Sequence, residues 1–181
     1  SGNLFGFAKN PSCMIDGPSQ FDFYSGGGLD TAFLGFGQID REGNVNVSKL
    51  AGATVGPGGF IDIAQNARKV VFCGTFDTKG TEIKTGHGKL ELIKAGKVCK
   101  FVEAVDQITF SGKQALIQGQ EILYVTERAV FSLSKGGLEL VEIAPGVEME
   151  RDVIDQMKFK PLISESIGTM NSKFFIDDEH A

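Results

Sequence analysis

The run Val55-Gly56-Pro57-Gly58-Gly59-Phe60-Ile61-Asp62 constrains this chain most, because three glycines and a proline in five positions can only be a tight turn. The residues just beyond the turn have helical periodicity: Phe60, Ile63, Ala64 and Ala67 fall on one helical face. The loop therefore presents bare backbone N–H groups at a helix start. Without Cβ atoms at Gly56, Gly58 and Gly59 a ligand can approach the main chain closely, and the first N–H groups of a helix have no intrahelical acceptor.

The flanking segments extend the pattern. Thr31 to Ile39 is nearly continuous in apolar residues and predicts a strand covered on both faces, weakened by Gly35 and Gly37. A long Gly-, Asn- and Ser-rich connection leads from there to the glycine loop, a helix over Phe60–Arg68 comes next, and Val70–Cys73 predicts a short buried strand. Strand, loop, helix and strand make a βαβ unit, whose ligands bind beyond the carboxyl ends of its strands. The loop falls at that end. Upstream, Ser19–Tyr24 predicts a short helix capped by Ser19 and closed by Gly26-Gly27-Gly28.

The second half changes character. Alternating segments around Gly86-His87-Gly88 and around Lys135-Gly136-Gly137 predict two hairpins, 82–93 and 129–143. A short helix over Lys113–Gln118, a strand over Ile122–Val125 and a helix over Glu148–Met157 complete the reading, with the last five residues frayed. The 181 residues suit one domain, 1–181: an open, mixed, mostly parallel α/β sheet flanked by helices, with added hairpins in its second half.

Reactive side chains are scarce. The two histidines, His87 and His180, fall in a turn and in the tail, so neither a histidine-activated nucleophile nor a metal site is expected. Cys73 reads as core filling in a buried strand. Cys13, Cys73 and Cys99 are odd in number and lack CxxC spacing, which predicts a reduced, cytoplasmic protein, and the net charge of −5 disfavours nucleic acid and anionic membrane surfaces. Thr126-Glu127-Arg128 reads as a structural ion pair.

The loop matches neither familiar phosphate motif. Phe60-Ile61 stands after Gly59 where a Walker A loop needs Lys-Ser/Thr, and Ile61 occupies the place where a dinucleotide fingerprint needs its third glycine. From spacing alone a plain strand-to-helix turn and an anion-binding loop both remain open. Gly26-Gly27-Gly28 is open in the same way, as helix stop or ligand contact. Asn44 and Asn46 could donate to a ligand or satisfy their own loop.

Six segments in order along the chain carry a resemblance: Ser19–Tyr24, Gly26–Asp30, Gly43–Val45, Gly58–Ile63, Thr126–Phe131 and Glu142–Val147. Together they resemble the carboxy-terminal half of family I CoA-transferases, of the acetate or propionate type. The resemblance implies transfer of CoA between a short-chain acyl-CoA and a carboxylic acid, with no permanently bound cofactor and no metal. It implies two partners, the N-terminal half of the same enzyme and further copies in a homo-oligomer. The family's nucleophile is a glutamate just before the segment that Ser1–Gly6 resembles, so the sequence reads as a piece of a longer protein, inactive alone. Gly59 matches the glycine whose N–H faces the thioester as an oxyanion donor, and the candidate CoA- and substrate-binding set is Gly58, Gly59, Gly27, Gly28 and Asn44. The alternative is a non-catalytic nucleotide-binding or assembly module.

Overall fold

A computed structural model describes residues 8–176; the segment Ser1–Phe7, His180 and the predicted frayed tail lie outside them. Its centre is a six-stranded sheet in which spatial order equals chain order. The strands are β1 (Thr31–Leu34), β2 (Lys69–Cys73), β3 (Glu121–Val125), β4 (Ala129–Ser134), β5 (Gly137–Ile143) and β6 (Leu162–Thr169). β1, β2 and β3 run parallel, β3, β4 and β5 form an antiparallel meander, and β6 returns parallel to β5. The sheet is mixed, with three parallel pairings against two antiparallel ones.

Among the described residues three α-helices accompany it: α1 (Gly17–Ser25), α2 (Phe60–Gln65) and α3 (Gly112–Gln118). The cap of α1 is Asp16, not Ser19; its carboxylate accepts from the Ser19 N–H and hydroxyl, and these bonds hold it below the usual carboxylate pKa range. The glycines beyond α1 are spent locally. Gly26, Gly27 and Gly28 donate their N–H groups to Asp22, Tyr24 and Phe23 carbonyls, and Gly27 takes φ +82°.

The core is aromatic. Phe72 stacks between Phe60 and Tyr124 at 5.8 and 5.4 Å, while Phe101 packs on Phe76 and Phe131 at 4.6 and 5.1 Å. Tyr124 is fully buried and donates to the Gly43 carbonyl at 2.6 Å; burial raises its pKa.

Several elements differ from the pattern reading. The strand predicted over Thr31–Ile39 ends at Leu34, and Gln38–Ile39 pairs instead with Val45–Asn46. α2 stops at Gln65, because the chain must turn at Asn66 to enter β2. The helix predicted over Glu148–Met157 is a π-turn, Met149–Val153, running into a 3-10 turn, Ile154–Gln156. Both hairpins form, as Glu82–Gly86 with Lys89–Lys94 and as β4 with β5.

Candidate functional site

The glycine loop is held from below. Lys49–Leu50 and Ala53–Thr54 form a small hairpin, and the Ser48 carbonyl then accepts both the Val55 and the Gly56 N–H, at 2.9 and 3.1 Å. Gly56 and Gly58 have φ of +78° and +54°, a conformation that favours glycine. Phe60 N–H closes back on the Pro57 carbonyl at 3.1 Å, and Gly59 caps α2, its own carbonyl accepting from Ile63. Among the described residues the N–H groups of Gly58 and Gly59 have no acceptor. Two donors on one short arc are thus left for something outside.

The surroundings limit what that can be. α2 is only six residues long, so its dipole adds little, and Asp62 already occupies its first turn, held by the Ser25 hydroxyl at 3.1 Å. The negative charge of Asp62 in this first turn disfavours a standing dianion such as phosphate there. A polarised carbonyl oxygen, or a transient oxyanion, suits two neutral donors better. Space is tight on one side: a Cβ at Gly59 would come 2.7 Å from the Phe21 ring, whereas one at Gly58 meets nothing.

The other expected ligand groups are arranged differently. Gly27 and Gly28 have used their N–H groups on α1, and a Cβ at Gly28 would enter the Phe23 ring, so packing explains the glycine there. Asn44 is 3% exposed. Its amide donates to Asp40 and Glu42 and its carbonyl accepts the Gly112 N–H at 3.0 Å, so it ties the 40–44 turn to the start of α3 instead of offering donors to a ligand. Asn46 is likewise satisfied, by Gln38 and Lys49.

Cys73 requires a correction. It ends β2 as expected, but its side chain is exposed, on the face opposite Phe72. Its pKa is raised by desolvation, so the thiol is no activated nucleophile. Cys99 is half-buried, with its pKa also raised by desolvation, and donates toward the Phe101 and Gln156 carbonyls. His87 sits at an exposed hairpin tip with φ +51°. No group of three metal-ligating side chains occurs among the described residues, and no described helix is long and apolar enough to cross a membrane.

The structural ion pair read from Thr126-Glu127-Arg128 forms, Arg128 donating to Glu127 at 3.0 Å, and it belongs to a larger cluster at the carboxyl ends of the parallel strands whose other members sequence reasoning missed. Glu127 and Arg128, in the turn after β3, reach across to the loop after β2. The Glu127 carboxylate accepts the Phe76 N–H at 2.8 Å, and Arg128 meets Asp77, 51 positions away in sequence. Only the Thr-Glu-Arg triplet hinted at it.

Three parallel strands lead into an antiparallel meander, with an unpaired Gly-Gly turn at the entrance of α2, and comparison shows the chain to be homologous to CoA-transferases. It is 46% identical over 176 residues to acetate CoA-transferase YdiF of Escherichia coli O157:H7, a match covering 97% of this chain and 33% of that protein. It is 48% identical over 176 residues to caffeate CoA-transferase of Acetobacterium woodii, covering 94% and 33% respectively. The crystal structure of the YdiF apoenzyme superposes with a TM-score of 0.92, at 46% identity, over 96% of this chain and 34% of that one. Glutaconate CoA-transferase of Acidaminococcus fermentans, at 18% identity and a TM-score of 0.63, shares the fold. No family model matches the chain. The chain spans about a third of the length of these two curated relatives.

Proposed function

We propose that this chain is the carboxy-terminal part of an enzyme that moves CoA between a short-chain acyl-CoA and a carboxylic acid. The observation that carries the reading is the pair of unpaired N–H groups at Gly58 and Gly59, in a chain 46% identical along nearly its whole length to a protein named as an acetate CoA-transferase. The reacting carboxylate is a glutamate that precedes residue 1. Its oxygen attacks the thioester carbonyl carbon, the C–S bond breaks and CoA leaves as the thiolate. The thiolate then attacks the glutamyl carbonyl of the resulting anhydride, releasing the first carboxylate and leaving a glutamyl-CoA thioester. An incoming carboxylate takes the CoA by the same two steps reversed.

Every step passes through a tetrahedral oxyanion, and the Gly59 N–H supplies a donor that brings no titrating group with it. Gly58, with nothing beside its Cα, leaves the approach clear. The substrates are then an acyl-CoA and a short-chain carboxylate, no resident cofactor is needed, and the working enzyme is an assembly of this part with the catalytic remainder, in more than one copy.

The test is CoA transfer from acetyl-CoA to propionate by the full-length polypeptide that contains this chain. Propionyl-CoA should accumulate with the full-length protein and not with residues 1–181 alone. Transfer by the 181 residues alone would remove the upstream glutamate from the mechanism. No transfer and no acyl-CoA binding by the full-length protein would leave the non-catalytic module as the better reading.

A further inference from the structure

Helix α1 carries Phe21, Phe23 and Tyr24, yet none of its residues is buried, so its aromatic rings do not serve the core. The helix is tied to α2 at its last residue: the Ser25 hydroxyl donates to the Asp62 carboxylate at 3.1 Å, and the Ser25 carbonyl accepts from the Asn66 amide. That anchor sets Phe21, one turn earlier, against Gly59. The three atoms nearest to a Cβ built on Gly59 are all carbon, two from the Phe21 ring at 2.7 and 3.0 Å and the Ile63 Cδ1 at 3.7 Å. Phe21 also meets the Tyr24 ring edge-on at 5.7 Å, and 40% of the residue stays exposed. An open apolar surface next to a few free polar donors is the composition of a small-molecule site.

The two glycines of the turn have unlike surroundings. A Cβ at Gly58 meets nothing within 4 Å, whereas the space beside Gly59 is closed by carbon. A thioester whose carbonyl oxygen accepts from the Gly59 N–H carries two unlike substituents. The CoA arm is long, and its amides and phosphates need water or donors around them, so it suits the open side. The acyl chain is small and apolar, and each methylene set against carbon leaves water favourably. The closed side suits the acyl chain alone.

We propose that Phe21 determines acyl-chain specificity: its ring is the wall of the acyl subsite and limits the chain that fits while the thioester oxygen accepts from the Gly59 N–H. The inference rests on the transferase reading and adds the class of acyl group, which is short, unbranched and uncharged. A longer or branched chain runs into the ring, and a chain ending in a carboxylate buries a charge against carbon.

The test uses the full-length polypeptide, with acetate as acceptor and propionyl-, butyryl- or hexanoyl-CoA as donor. Phe21→Ala should raise kcat/KM for hexanoyl-CoA relative to propionyl-CoA by about tenfold or more, and Phe21→Leu by less. Phe23→Ala, on the same helix but against Gly28, should leave that ratio within about twofold. An equal loss for all three donors in Phe21→Ala, or in Phe21→Leu where the alanine variant does not fold, would make Phe21 a packing residue and overturn the proposal. An unchanged ratio with a changed inhibition constant for free CoA would overturn it too, by setting the ring beside the CoA arm. A parent enzyme that transfers from none of the donors would remove the transferase reading and this proposal with it. An active parent whose ratio ignores Phe21 would remove the proposal alone.

Discussion

The Arg128 guanidinium, fully buried, lies 2.8 Å from the Asp77 carboxylate, and its flat face sits 4.5 Å above the Phe76 ring. It also donates to Glu127 at 3.0 Å and to the Asp152 carbonyl at 3.1 Å. One side chain thus pins the loop after β2 and the π-turn to the turn after β3. Asp77 is 3% exposed, so removal of its partner strands a charge in the interior. Arg128→Ala should destabilise the protein by about 3–5 kcal/mol in denaturant unfolding. A paired Arg128→Met/Asp77→Leu variant should lose less, because neither charge is then left alone.

Asp152 gives the fold an acid limit. The Arg151 guanidinium hydrogen-bonds its carboxylate, which also accepts the Glu148 N–H, and despite desolvation its pKa is lowered. A carboxyl with a folded pKa below its unfolded one binds its proton more weakly when folded. Its contribution is therefore complete above the unfolded value, about 3.9, and is lost as pH falls through the depressed folded value. Stability measured against pH should decline below about pH 4, and Asp152→Asn should flatten that part of the curve. Since Arg151 is exposed, added salt should weaken the effect.

At the glycine loop, packing and catalysis must be separated. The 2.7 Å contact between an added Cβ at Gly59 and the Phe21 ring means that Gly59→Val strains the α1–α2 contact as well as blocking the thioester. Phe21→Leu removes the ring atoms concerned. In full-length protein carrying Phe21→Leu, Gly59→Val should keep its melting temperature near that of the background and lower kcat/KM for acyl-CoA by about 100-fold or more. Unchanged turnover would exclude the donor role for Gly59.

Asn44 should behave as structure. Its amide and carbonyl serve Asp40, Glu42 and Gly112, so Asn44→Ala leaves the buried Gly112 N–H unpaired, at a cost of about 1–3 kcal/mol. Steady-state kinetics of the full-length variant at a temperature where it stays folded should show KM for acyl-CoA within about twofold of the parent, as for a residue that touches no substrate. A tenfold rise in KM would return Asn44 to the ligand.

The fold was readable where local pattern and long-range packing agree. Val70–Cys73 and Ile122–Val125 are short apolar runs bounded by turns, and the hairpins announce themselves by alternation around glycine, so each was found within a residue or two. β6 had no such mark. Its sequence, Leu-Ile-Ser-Glu-Ser-Ile-Gly-Thr, lies along the sheet edge with Leu162 and Ile163 nearly half exposed, and pairing with β5 rather than burial makes it a strand. Over Glu148–Met157 the predicted helix forms only as a π-turn and a 3-10 turn, with Val153 and Met157 buried, and Arg128 takes the Asp152 carbonyl that a continuing helix would use.

Sequence alone determined most of the elements, the glycine-dependent turn at 56–59 and the scarcity of activatable side chains, because these depend on spacing, backbone freedom and residue type. It could not determine which glycines keep their N–H groups free. Gly27 and Gly28 look as available as Gly58 and Gly59 in a string of letters, yet the first pair closes the end of α1 and the second opens the start of α2. A helix end supplies carbonyls that consume donors, and a helix start supplies none. Only the folded chain decides which glycine N–H groups meet those carbonyls, and with it which donors are left for a ligand.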